Sequence, residues 1–169
     1  EVATRRPGLA SSPEDLSRGQ RFARAKAFYR AWAYADARRE FQAFVDDDST
    51  SRAQTARWHM AQIALNKMRD DFTLAEEYFS ELANGSSSYA EESLYQLARA
   101  EMRQEKYDES IAHLNEYARR YPRGDRVELV YYYNGWLHYD RRDNDRAIAG
   151  FKRYIDRYGS KGRRSTYIY

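Results

Sequence analysis

One pattern recurs four times along this 169-residue chain, and it limits the possible folds more than any other feature. The strings YADARREFQAF, FTLAEEYFSEL, YDESIAHLNEY and NDRAIAGFKRY begin at Tyr34, Phe72, Tyr107 and Asn144, at intervals of 38, 35 and 37 residues. In each, a small residue stands three places on (Ala37, Ala75, Ser110, Ala147), and a large apolar one follows four places later (Phe41, Phe79, Leu114, Phe151). Three residues further comes another large side chain: Phe44, Leu82, Tyr117 and Tyr154. Steps of three and four align these side chains on one stripe of a helix, with the small residue where a neighbouring helix passes close. Upstream of each string runs a second apolar-periodic stretch: RFARAKAFYRAW, RWHMAQIALNKM, SLYQLARAEMRQ and VYYYNGWLHYDR. Each unit is therefore expected to be an antiparallel helix pair, and a period of this size makes the chain a stack of such pairs. Small residues recur in the first helices too, at Ala25, Ala61, Ala98 and Gly135, but Ala61 falls out of register by a residue or so. That irregularity predicts a longer internal turn in the second unit.

Composition supports helices: 33% of the residues are charged, and there are only 3 Pro and 8 Gly. No proline lies between Gly19 and Tyr121, and Pro122 follows an aromatic-rich run, where a helix should stop. Loop signals at 46–51, 84–88, 121–125 and 159–162 divide the chain into units over about 20–51, 52–88, 89–125 and 126–162. Residues 1–18 mix Pro, Gly and Ser without an apolar period and read as a flexible tether, leaving 19–169 as one repeat domain. The final GRRSTYIY reads as the start of a further first helix or a capping helix. The chain opens with Glu1 rather than Met, so removal of a leader or of a longer N-terminal region is expected.

The pattern resembles the tetratricopeptide (TPR) repeat. The third unit carries it best, with Leu94, Leu97 and Ala98, then Tyr107, Ser110, Leu114, Tyr117 and Pro122; the fourth places Gly135, Ala147 and Phe151 equivalently. The unit endings ARRYPRGD and DRYGSKG are similar to those of periplasmic bacterial TPR proteins of the BamD and Tol-Pal-associated families. The resemblance implies an all-α fold, a right-handed superhelix of about four antiparallel helix pairs, that serves as a protein-interaction scaffold in cell-envelope assembly. It also implies a periplasmic location, with a polar tether behind a lipid-modified cysteine that is absent from this sequence; a cytoplasmic location is the alternative. Self-association through open solenoid ends is the rival function.

In TPR proteins the first helix of each pair lines the groove that receives a partner. Projecting the register onto those helices gives Phe22, Lys26, Tyr29 and Arg30 in the first unit and His59, Ile63 and Asn66 in the second. Tyr95, Arg99, Met102 and Arg103 follow in the third, and Tyr132, Trp136 and Tyr139 in the fourth. Mixed aromatic and Arg surfaces suit binding hot spots. Tyr132, Trp136 and Tyr139 share one stripe and are expected to form the main one, while Tyr133, turned about a hundred degrees away, is expected to serve packing.

No catalytic constellation is visible. His59, His113 and His138 fall in three different units, no Cys is present, and no HExxH, P-loop or GxGxxG motif occurs. Asp46, Asp47 and Asp48, and Asp140, Asp143 and Asp145, lack the pattern of a calcium loop and read as turns and caps. A non-catalytic role with no cofactor and no metal is the expectation. Charge is uneven: residues 1–118 carry 16 Lys+Arg against 20 Asp+Glu, and residues 119–169 carry 13 against 6. Arg119, Arg120, Arg123 and Arg126 open this basic pole, which should steer an acidic partner. Its placement on loops and outer helices, without stacking aromatics along one track, argues against nucleic acid.

Overall fold

The computed structural model describes residues 16–47, 50–69 and 71–159, and these are all-helical. Eight helices run in chain order: α1 (Arg18–Arg30), α2 (Tyr34–Gln42), α3 (Thr50–Gln62), α4 (Phe72–Asn84), α5 (Ala90–Arg103), α6 (Tyr107–Arg120), α7 (Val127–Asp140) and α8 (Asn144–Tyr158). Successive helices pack as pairs, α1 with α2 through α7 with α8, and each second helix also touches the first helix of the next pair. The result is an α-solenoid. Ring contacts fix the sense of each hairpin: Phe22 near the start of α1 meets Phe44 just past the end of α2 at 5.0 Å, and Tyr29 late in α1 meets Tyr34 at the start of α2 at 5.7 Å. The last pair repeats this, with Tyr131 on Tyr158 and Tyr132 on Tyr154.

The small-residue positions are where the helices crowd. Ala37, Ala75, Ser110 and Ala147 are buried, as are the large residues of the stripe except Phe151, which is half-buried. Ser110 uses its size differently from the alanines: its hydroxyl donates to the Ala98 carbonyl at 2.8 Å, joining α6 to α5. In the last pair a Cβ on Gly135 would lie 2.8 Å from the Phe151 ring, so only glycine permits that approach. Two apolar clusters result, one under the first two pairs and a larger one running through the rest, and both reach Leu74 and Tyr78 on α4.

Caps and turns follow from local chemistry. Ser17 and Gln20 form a reciprocal capping box at the start of α1, so Ser17 and Arg18, expected as the end of a tether over 1–18, belong to the helix start; residues 1–15 lie outside the described residues. Asp71 and Asp143 accept from Leu74 N–H and Arg146 N–H and start α4 and α8. Each turn within a pair holds one residue with positive φ: Trp32, Arg69, Glu105 and Arg142. The longer internal turn expected in the second unit is not found. That turn is three residues, like the others, and the irregularity lies in the helix: Ile63–Met68 continues α3 as a π-helical segment that absorbs the extra length. The final GRRSTYIY lies outside the described residues.

Candidate functional site

The first helices meet through side chains. Tyr29 on α1 lies 4.4 Å from the ring of His59 on α3, and Tyr95 on α5 lies 6.5 Å from the ring of Tyr133 on α7. Between α3 and α5 the contact is polar. The π-helical turn presents Asn66, whose amide donates to Gln62 at 2.7 Å and to Gln96 at 3.4 Å, while its oxygen accepts from Arg99 at 2.9 Å. Arg99 also donates to Gln96 at 2.7 Å, and Gln96 donates to Glu92, which takes a two-point contact from Arg126. This chain of hydrogen bonds holds Arg99 in one orientation, so little side-chain entropy remains to be lost when it meets a ligand.

Arg99 opens onto a cavity of about 220 Å³ between α5, α7 and the first residue of α6. Its other walls are Met102, Arg103, Tyr107, Tyr133, Trp136 and Asp140. The Trp136 and Tyr133 rings stand edge to face at 6.5 Å, which fixes both planes. Burial and then the Asp140 carboxylate push the Tyr107 hydroxyl above its usual range, so it stays neutral and able to donate. The site thus combines apolar rings, two cations and one carboxylate, a set that suits a peptide side chain and its neighbouring polar groups and supplies no nucleophile–base pair.

Of the expected groove residues, Arg99, Met102, Arg103 and Trp136 line this cavity together. Two of the others are core. Ile63 is fully buried under the first two pairs, and Tyr95 is 5% exposed, packed against Tyr117 and Tyr133 and flanked by the guanidinium groups of Arg99 and Arg126. Burial first, and then Tyr133, raises Tyr95 to about 12. Tyr133 packs against the core as expected, but it also lines the cavity, and Tyr132 does not. Tyr132 packs instead on Phe151 and Tyr154 of α8. Tyr139 is exposed outside it.

In the first two units Phe22 packs edge-on against Phe41 and Phe44, while Lys26 is half-buried and Arg30 exposed. His59 stacks on Phe41 at 4.8 Å with its Nδ1 buried and unpartnered. Burial first, then Lys26 and Arg30, lowers its pKa to about 4, so it is neutral near pH 7. The sequence reading missed Tyr107, Tyr133 and Asp140. Tyr107 looked like a second-helix repeat position, and nothing in the spacing shows that the opening of a second helix reaches the first-helix face.

The basic pole is partly neutralised. Arg120 pairs with Glu116 and Arg126 with Glu92, while Arg119 and Arg123 are exposed and hold no ion pair among the described residues. Asp47 is buried and pairs with Arg18 and Arg52, and Asp143 caps α8; Asp48 lies outside the described residues. Among the described residues no group of His, Asp and Glu could hold a metal, and no helix is long and apolar enough to cross a membrane.

Fold and site together define a TPR-like α-solenoid with an aromatic and Arg-lined pocket on its first helices. Residues 52–166 match the model of the YfiO family, described as outer membrane lipoprotein, and the chain belongs to that family. Membership places it at the outer membrane of the cell envelope, the periplasmic side of the two locations weighed above. The match leaves out the first helix pair. No curated protein matches the chain.

Proposed function

We propose that this chain is a non-catalytic scaffold that holds partner proteins, or extended segments of them, along its first-helix face during outer-membrane assembly. The observation that carries this reading is the cavity beside Arg99, where a guanidinium fixed by Asn66 and Gln96 borders the rings of Tyr133 and Trp136. Fixed rings and a pre-oriented Arg bury area at low entropic cost, the property that marks binding hot spots. The partner is a protein, in keeping with the family's role in protein complexes. Residues from Ser17 onward act as one repeat domain of TPR type, with the stretch before Ser17 as its tether.

Photo-crosslinking tests the reading. A benzophenone amino acid at position 133 or 136, in cells that make this protein, should give an envelope-protein adduct that the same label at exposed Arg39 does not. Equal adducts at all three positions, or none at 133 and 136, would remove the assignment. A second reading, self-association through the end of the stack, draws on Tyr139 and Ile148, which are 62% and 64% exposed on the last described pair. Light scattering on the purified chain separates the two, because a scaffold binding other proteins stays monomeric alone.

A further inference from the structure

The second helices form a different surface, and its charge changes sign along the stack. Between α4 and α6 the groove is lined by Glu76, Glu77, Glu101 and Glu109 with Lys106 and His113. Glu76 is held by Lys106 and Gln104, and Glu101 lies 2.9 Å from the His113 ring, so two of the four carboxylates are answered from within. One unit further on, between α6 and α8, the corresponding groove has no carboxylate in its lining. It holds a cavity of about 170 Å³ above α7, bordered by Asn115, Tyr131, Asn134, Gly150 and Arg153.

Register explains the space. His113 in the third unit corresponds to Gly150 in the fourth, 37 residues on, so the imidazole that fills the earlier groove has no counterpart here. Gly150 is fixed by packing, since a Cβ there would fall 2.7 Å from the Gly135 Cα. The Asn134 amide donates to the Asn115 side-chain oxygen at 2.9 Å, and the Asn115 amide hydrogens hold no hydrogen bond among the described residues.

Positive charge gathers around this opening and is not cancelled. Arg153 lines it and has no ion pair or hydrogen bond among the described residues. Arg157, one turn later on the same face of α8, donates to the Pro122 carbonyl at 3.2 Å and lies over the Tyr131 ring at 5.1 Å, with no carboxylate partner among the described residues. Arg119 follows Asn115 by one turn of α6, and Arg123 follows in the next loop; both are exposed. Glu116, the single carboxylate in the last two turns of α6, is taken by Arg120.

We propose that the groove between α6 and α8 docks an acidic segment of a partner protein, with one of its side-chain carboxylates entering the cavity to pair with Arg153 and the Asn115 amide. A carboxylate on a two- or three-atom stem fits a recess between helices. A flat bilayer surface would meet the exposed arginines and Asn115 but would not enter the recess floored by buried Val130, Asn134 and Gly150. The groove is separate from the first-helix cavity, so either site can fail without the other.

The test uses a fluorescein-labelled peptide of alternating Glu and Ser, its Gln counterpart, and vesicles of phosphatidylcholine with phosphatidylglycerol. Fluorescence polarisation should show binding of the Glu peptide and not of the Gln peptide. Arg153→Glu should weaken it about tenfold or more, whereas Arg21→Glu, an equal charge change on α1, should alter it less than about twofold. Arg153 is exposed, so its variant is expected to keep the parent's melting temperature, and that is checked alongside. Failure of the Glu peptide to bind, or equal losses in the two variants, would overturn the proposal. So would vesicle binding that depends on Arg153 in the absence of peptide binding, which would assign the groove to lipid headgroups.

Discussion

Gly135 and Gly150 face one another across the last helix pair, so close that a Cβ on Gly150 would lie 2.7 Å from the Gly135 Cα. The backbones of α7 and α8 meet there with no side chain between them. Gly150→Ala should therefore force the helices apart and cost about 1 to 3 kcal/mol, despite the higher helix propensity of alanine. A denaturant melt that shows Gly150→Ala as stable as the parent would contradict the contact.

Ala75 plays the same part in the second pair, where it is fully buried on α4. Ala75→Leu adds three carbons to a filled space, and the expected loss is again about 1 to 3 kcal/mol. Ala112→Leu, on the exposed side of α6, is the control and should leave the melting temperature nearly unchanged.

How much of this was legible in the sequence is clearest from such positions. Steps of three and four and a small residue at each crossing are properties of one helix and its neighbour, so the pairing of helices and the burial of Ala37, Ala75 and Ser110 could be read directly. The site could be read only in part. Tyr132 and Tyr133 are adjacent residues of the same type, and which one turns to α8 depends on how α7 is rotated against its neighbours, which a helical projection does not fix. The π-helical turn of α3 was equally hidden, because a one-residue slip in a repeat looks the same whether a loop or a helix absorbs it.

Tyr117 ties three segments together. Its hydroxyl donates to Glu91 at 2.7 Å and accepts from the Arg126 N–H at 3.0 Å, so α6, α5 and the approach to α7 share one oxygen. Tyr117→Phe leaves the Arg126 N–H without this acceptor and should cost about 1 to 3 kcal/mol. Hydrogen exchange should quicken at Arg126 more than at helix centres; uniform exchange rates would argue against the shared contact.

His59 predicts how stability responds to acid. Its folded-state pKa is lowered to about 4, by burial first and then by Lys26 and Arg30, against an ordinary value of 6.5. The unfolded chain therefore takes up a proton that the fold resists. The stability of the neutral ring is complete above about pH 6.5, is lost progressively toward pH 4, and totals about 2 to 3 kcal/mol. His59→Phe keeps the stack on Phe41 and should remove this part of the acid sensitivity. The difference in stability between parent and variant, followed from pH 7 to pH 4, should change in the variant's favour; a constant difference would contradict the buried neutral histidine.

The central claim is that the rings beside Arg99, which pack against the core on one side, bind a partner with the other, and the affinity of Trp136→Ala tests it most directly. With the protein captured by the label at position 133 as titrant, calorimetry should show binding weakened by about 2 kcal/mol or more while the melting temperature falls little. Unchanged affinity together with a stability loss of about 3 to 5 kcal/mol, as expected for truncation of a core Trp, would contradict it.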